Sequence, residues 1–480
     1  MEFEKLPRGR PGTHVERGEA ARALWLDPAH LRGDFWRYGP GRIFLGASPE
    51  GHEVGIADNR HLITVAGSRA GKGTSAIIPN LLRYEGSVLV LDPKGENASI
   101  TANRRARMGQ EVHVVDPFNI AKVPDDYRSG FNPIAELDPS SPEFIDDCDA
   151  LADALVIAES GKENDFWNSA ARIVLRGFIA WVAAHEHLPD ADRHLGMVRR
   201  LLILPKAGLR ELLESMQTLR KVAAGVPSEA AAFLLGLDDR ERASVMSTVL
   251  ANIAFLASPA VAKVFKARGR VANLRAWKFG GSSIYLCLPA MRLHRHARFF
   301  RLYVTSLLLA IEADRREPEI PALMLLDEMH VLGRMAALET AAGLIAGYGV
   351  RIWSIWQDFA QLKSIYDDRW ETFLGNASVF QSFGLNDMGT LSYVSERLGT
   401  SPTMQVSQSE ISKEQAASGF TGKSKSLQAG PLLTPDEVAY FFSRQSRNQL
   451  VLYPGADPVF LKRVEYFKAD QLKSLQGVMS

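Results

Sequence analysis

The chain has 480 residues, 46% hydrophobic and 23% charged, which is ordinary for a globular protein of two or three domains and excludes collagen-like and broadly disordered classes. Lys and Arg total 56 against 55 Asp and Glu, a formal charge of +1, so a globally basic nucleic-acid coat is excluded but a local basic surface is not. The only two cysteines, Cys148 and Cys287, exclude a disulfide framework and a cysteine-only zinc site and fit a reducing compartment.

Residues 1–40 read as a polar N-terminal arm with Pro7, Gly9, Pro11 and Gly12 and one short helix near Glu19–Leu26. The first 30 residues mix charges and carry no apolar signal core. The apolar stretches Ile173–Ala184, broken by Arg176, and Leu302–Ile311 fall short of the roughly 20 residues a spanning helix needs. The expectation is a cytoplasmic chain with no intrinsic membrane span, staying where it is made.

Ordered structure is expected from Arg42–Gly46. The apolar run His61–Ala66 reads as a buried strand, then a Gly-rich turn, then a helix over Thr74–Tyr84. Ser87–Asp92 and Val112–Asp116 are further strands, separated by a helix near Ala98–Met108. Strands alternating with helices at this spacing predict right-handed βαβ units and a parallel sheet, a nucleotide-binding part over 41–140.

The pattern changes after Asn132-Pro133. Helical periodicity dominates in Phe144–Ala158, Asn168–Ala184, Leu195–Leu204, Gly208–Met216 and Ser228–Leu235, which predicts an all-helical insertion over 141–270. Strand runs return in Ser283–Pro289, Ala322–Glu328, Gly349–Ile355, Val379–Gln381, Asn448–Tyr453 and Val459–Val464, a second nucleotide-binding part over 271–480. Within it, 401–430 is rich in Ser, Gln, Lys and Gly and is expected to be a mobile loop.

The strongest chemical signal is Ala66-Gly67-Ser68-Arg69-Ala70-Gly71-Lys72-Gly73-Thr74, between an expected strand and an expected helix. Glycines let successive N–H groups turn toward phosphate oxygens, and the helix N-terminus adds partial positive charge. Residues Gly67 to Ser75 would cradle the nucleotide, with Lys72 on the β- and γ-phosphates. Ala66 stands where the first Gly is usual, and Gly73 where a Mg²⁺-binding hydroxyl is usual; Thr74, Ser75 or a water takes over that task. The second signal is the apolar strand that ends in Asp327-Glu328. Ligands bind at that edge of open α/β sheets. Asp327 would hold the Mg²⁺ shell, and Glu328 would orient and deprotonate the attacking water. Gln357, at the end of the neighbouring strand, reads equally as a sensor of the γ-phosphate and as a polar strand cap. Asp92 leads into the polar loop Pro93-Lys94-Gly95-Glu96, where a structural turn and a catalytic role are equally open. Basic clusters at Arg104-Arg105-Ala106-Arg107, at Lys263–Arg275 and at His294–Arg301 are candidate DNA contacts or solvated faces.

With these motifs the chain resembles the coupling ATPases of type IV secretion and bacterial conjugation, RecA-like motors related to FtsK. The likeness spans 42–470 and includes the Lys72 loop with Ile78-Pro79-Asn80, Leu91–Glu96, Asp116–Asn119, Phe166-Trp167, Leu326-Asp327-Glu328, Gln357 with Gln361-Leu362, and Pro431–Glu437. It implies an α/β fold, a RecA-like P-loop NTPase domain with a twisted, mostly parallel sheet interrupted by an all-alpha domain. It also implies ATP and Mg²⁺ as cofactors, assembly into a hexamer, and partners in DNA or a relaxase–DNA complex and in type IV secretion channel components. The sequence departs from the family at two points. The N-terminal membrane helices usual in the family are not expected here, so a peripheral place at the inner membrane would rest on partners. The arginine that acts on a neighbouring subunit's nucleotide aligns with Ala346, leaving Arg334, Arg351 or Arg298 as substitutes. Two other readings compete: a DNA translocase outside secretion, in mobile-element maintenance or defence, and a nucleotide-switched adaptor for protein effectors.

Overall fold

The computed structural model describes residues 23–157, 165–266, 269–408 and 423–475. Its strands are β1 (Ile43–Ala47), β2 (Glu53–Ile56), β3 (His61–Ala66), β4 (Val88–Asp92), β5 (Glu111–Val115), β6 (Ser282–Cys287), β7 (Ala322–Leu326), β8 (Val350–Trp356), β9 (Ala377–Phe383), β10 (Thr400–Gln408), β11 (Lys423–Pro431), β12 (Asn448–Leu452) and β13 (Val459–Lys462). Eleven form one sheet in the order β2-β1-β13-β12-β9-β3-β8-β7-β4-β6-β5. From β9 to β5 every pairing is parallel; β12, β13, β1 and β2 extend the sheet antiparallel.

The central strands are buried on both faces, which is why they read as unbroken apolar runs. The period of two still divides their side chains. Ile63, Val65, Leu89 and Leu91 belong to one core, and Leu62, Val88, Val90, Leu323 and Leu325 to the other. The first core is shared with the helices Phe144–Leu155, Asp165–Ala184, Leu195–Leu202, Lys206–Thr218, Val226–Gly236, Asp239–Asn252 and Pro259–Phe265. Between 144 and 265 the described residues add no strand to the sheet. Two of these helices approach so closely that a Cβ on Gly177 would lie 2.2 Å from that of Ala230. The helix Asp239–Asn252 opens on a capping box in which Asp238 and Glu241 satisfy each other's backbone amides.

Several expectations are corrected. In place of a helix ending at Leu26, the described residues 23–26 are not helical: Ala23 and Leu26 donate their amides to the carbonyls of Thr400 and Pro458 (2.8 and 2.9 Å). Residues 1–22, and with them the rest of the arm and its expected helix, lie outside the described residues. Of the mobile loop expected over 401–430, residues 401–408 and 423–430 are instead strand, paired in the antiparallel ribbon of β10 and β11 from Thr400 opposite Pro431 to Gln408 opposite Lys423. The alternation Pro402, Met404, Val406 marked that strand, but the polar composition outweighed it; 409–422 lie outside the described residues. Strand β2 is short and holds Gly55, which reads as turn. There the ring of Tyr38 comes within 2.7 Å of where a Cβ would stand. The helix expected over Thr74–Tyr84 opens as a wide π-helical turn, Gly73–Ile77, and ends at Leu81. Ile78 donates to Gly73 across five residues, the register shift that accommodates Pro79, which has no N–H to give. Among the described residues no helix is long and apolar enough to cross a membrane.

Candidate nucleotide site

The carboxyl ends of β3, β7, β4 and β8 converge on a cavity of about 990 Å³. The turn after β3 is fixed by close packing: a Cβ on Gly67 would lie 2.1 Å from the carbonyl oxygen of Gly384. Arg69 and Gly71 take positive φ values of 57° and 96°, curling the chain toward the helix that begins at Gly73. Thr74 Oγ1 and Ser75 Oγ both donate to the Gly71 carbonyl, at 3.1 and 2.8 Å. A Cβ on Gly73 would meet nothing within 4 Å, so the loop leaves room for a side chain there.

Lys72, Asp327, Glu328 and Gln357 come together. Lys72 Nζ lies 2.5 Å from Glu328 Oε1 and 3.0 Å from Asp327 Oδ1. Gln357 Nε2 donates to Glu328 Oε2 at 2.9 Å, and His330 Nδ1 lies 3.4 Å from the same oxygen. Glu328 takes a left-handed conformation, φ 57° and ψ 46°. For a residue with a Cβ such a conformation costs on the order of 1–3 kcal/mol and persists where the surroundings impose it. Burial pushes the Asp327 carboxyl up, more than Lys72 draws it down. Burial also pushes Glu328 up, but Lys72, with the Gln357 hydrogen bond, outweighs it and holds that carboxyl below its usual range. Burial pulls the Lys72 ammonium down, and the two carboxylates more than restore it. The cluster therefore holds a charged lysine against an ionised Glu328.

Asp92 ends β4 beside Asp327 and lines the same cavity. Its Oδ2 accepts the amide of Ala98 at 2.8 Å, and burial pushes its pKa to about 7. Asp116 instead caps its own loop, accepting the amides of Phe118 and Ala121 at 3.2 and 2.8 Å.

Sequence reasoning missed the segments just before β12 and just after β13. Arg463 donates to the carbonyls of Ala70, Ser443 and Arg444, and its guanidinium lies over the ring of Phe383, 4.8 Å from the centroid. Tyr466 donates its amide to Thr74 at 3.0 Å. Arg444, Arg447 and Tyr466 line the same cavity as Lys94 and Glu328. Residues around Val459–Val464 read only as a strand, and no motif marked their arginines.

Of the basic candidates, Arg105 and Arg301 are interior. Arg105 donates to Tyr84 and Gly86 carbonyls and to Ser283 and Gln110 side chains; Arg301 donates to the carbonyls of Asp153, Ala154, Leu332 and Arg334. Burial lowers both guanidinium pKa values to about 10. Neither is a DNA contact. Among the candidate substitutes for a trans-acting arginine, Arg351 is 3% exposed within β8, and Arg298 is held by Leu155 and Asn252. Arg334 stays at the surface, paired with Glu339 at 2.9 Å.

The family model for the conjugative DNA transfer proteins of the type IV secretory system matches residues 28–480. The probable conjugal transfer protein TraG of Sinorhizobium fredii is 27% identical over 429 residues, 88% of this chain and 64% of that protein. The protein VirD4 of Agrobacterium fabrum is 27% identical over 423 residues, 86% of this chain and 60% of that one. The chain thus spans a little under two thirds of the length of these relatives. In fold it is similar to the plasmid coupling protein TrwB in complex with ADP and Mg²⁺, with a TM-score of 0.66 and 15% identity over 96% of this chain and 97% of that one. The arrangement is the RecA-like α/β fold that the resemblance implied. With a family match across nearly its whole length, the chain belongs to the type IV secretory system conjugative DNA transfer family.

Proposed function

We propose that this protein is a P-loop ATPase that couples DNA or a relaxase–DNA complex to a type IV secretion apparatus. The observation that carries the reading is the contact of Lys72 with both Asp327 and Glu328 at the mouth of the glycine loop. A triphosphate entering along Gly67–Ser75 would compete for Lys72 and release Glu328 toward the γ-phosphate. Glu328, ionised and steered by Gln357, would take the proton of the attacking water. Gln357 would register the γ-phosphate through the same hydrogen bond.

The residues fit Mg²⁺. Thr74 and Ser75 hydroxyls and the Asp327 carboxylate are hard oxygen donors, and Asp327 is buried at the mouth of the glycine loop with Lys72 as its ion-pair partner. When bound, the ion would neutralise charge between the β- and γ-phosphates. The hydroxyl falls to Thr74 because Gly73 has none.

Membership in the conjugative DNA transfer family of the type IV secretory system supports DNA as cargo and components of that system as partners. We read 141–270 as a helical unit inserted between the two nucleotide-binding parts, and hexamers as the working assembly. Nucleotide bound at a subunit edge favours the assembled form by RT ln(1 + [L]/Kd) per site. Light scattering with a non-hydrolysable ATP analogue, with and without DNA, tests this. Mass should rise toward a hexamer with both ligands; a mass that stays monomeric throughout would favour a nucleotide-switched adaptor.

A further inference from the structure

The helix Leu293–Ala313 begins against its own electrostatics. Arg292 is its N-cap, His294 and Arg295 fall in its first turn, and no acidic residue stands there to meet the positive end of the helix dipole. Local conflicts of this kind concentrate where function uses the residues. One position earlier, Met291 is 98% exposed.

Three strand-end loops meet at this point. Arg292 lies over the ring of Phe118, 4.7 Å from its centroid, and His296 packs on the same ring at 5.2 Å. Phe118 belongs to the loop after β5. The loop after β4 touches it, since a Cβ on Gly95 would lie 2.8 Å from the Ala121 amide nitrogen. These loops and the first turn of the helix carry Lys94, Lys122, Arg292, His294 and Arg295, all exposed. Among the described residues no carboxylate lies within 4.0 Å of Lys94, Lys122, Arg292 or Arg295. The nearby acids are otherwise engaged: Asp116 is buried 3.6 Å from Arg128, and Glu96 opens the helix after β4, where a negative charge suits the dipole.

We propose that this surface binds the phosphodiester backbone of DNA, with Met291 as an apolar tip set against the bases. The assignment rests on the DNA-coupling reading above and names the part of the chain that would make the contact. Unpaired cations on three loops suit a polyanion that runs across them, and phosphate contacts release counterions. Exposed apolar side chains beside such cations act as wedges at base steps. Lys94 also lines the nucleotide cavity, so the loop after β4 joins the two sites.

The test uses the full chain, a fluorescein-labelled duplex of random sequence, and anisotropy titrations across a salt series. Arg292→Ala/Arg295→Ala should weaken binding about tenfold or more at low salt and make the slope of log K against log salt shallower by about 1.8, for two lost phosphate contacts. Basal ATP hydrolysis should be unchanged. Arg295→Ala alone should leave the melting temperature unchanged or raise it, because it relieves the helix dipole. Met291→Ala should weaken binding without altering the slope. Wild-type affinity and slope in the double variant would overturn the assignment while leaving the coupling reading intact. A double variant that assembles less but keeps the salt slope would overturn it in favour of a contact between subunits. A wild-type chain that binds no DNA would defeat the coupling reading and the surface together.

Discussion

Nζ of Lys72 lies 2.5 Å from Oε1 of Glu328, so the cation of the glycine loop and the carboxylate of the opposite strand hold one another. The pair joins residues 256 apart in sequence. Either side chain is therefore a handle on the other.

Lys72→Ala should lower ATP turnover by roughly 10²–10³-fold or more, the scale seen when one oriented transition-state donor is removed. It also leaves Asp327 and Glu328 facing each other without their cation. Like charges in a buried site raise a carboxyl pKa, so the variant should lose melting temperature more steeply than wild type as the pH rises. Steady-state hydrolysis and a pH series of thermal melts check both.

Glu328→Gln should keep nucleotide affinity and lose hydrolysis, because the amide preserves size and the contact with Gln357 but cannot take a proton. Equilibrium binding of a fluorescent ATP analogue beside single-turnover hydrolysis separates the two. Loss of affinity would make Glu328 a structural residue.

Arg301 ties the end of the helix Phe144–Leu155 to the turn after Glu328 through four backbone carbonyls. Arg301→Met leaves these acceptors unpaired, each costing about 1–3 kcal/mol where it stays buried. The expected result is a strongly lowered melting temperature, with faster amide exchange in both 150–157 and 329–334. Faster exchange in one segment alone would mean that Arg301 does not join them.

Asp92 has a folded-state pKa of about 7, against 3.8 for its ordinary value, because burial disfavours its ionised form. A carboxyl that binds its proton more tightly when folded adds stability at low pH and withdraws it as the pH rises from about 4 through 7. Asp92→Asn should flatten the fall in melting temperature between pH 5 and 8. An unchanged pH profile in that variant would contradict the assignment.

Much of this was legible because burial on both faces writes central strands as apolar runs. His61–Ala66, Ser87–Asp92 and Ala322–Leu326 could hardly be anything else, and their polar ends pointed to one edge. What was not legible depended on partners distant in sequence. Arg105 and Arg301 look like surface charges until the carbonyls that surround them are known. Arg463 reaches the glycine loop from a strand with no motif. The ribbon of β10 and β11 carries an alternation that its Ser- and Gln-rich composition hid.

The most direct measurement is the rate of Mg²⁺-dependent ATP hydrolysis by the full chain with and without DNA, for wild type and Lys72→Ala. The account predicts hydrolysis that needs Mg²⁺, rises when DNA is added, and disappears in the variant. Hydrolysis that is absent under all conditions, or that survives intact in a folded Lys72→Ala protein, would contradict it.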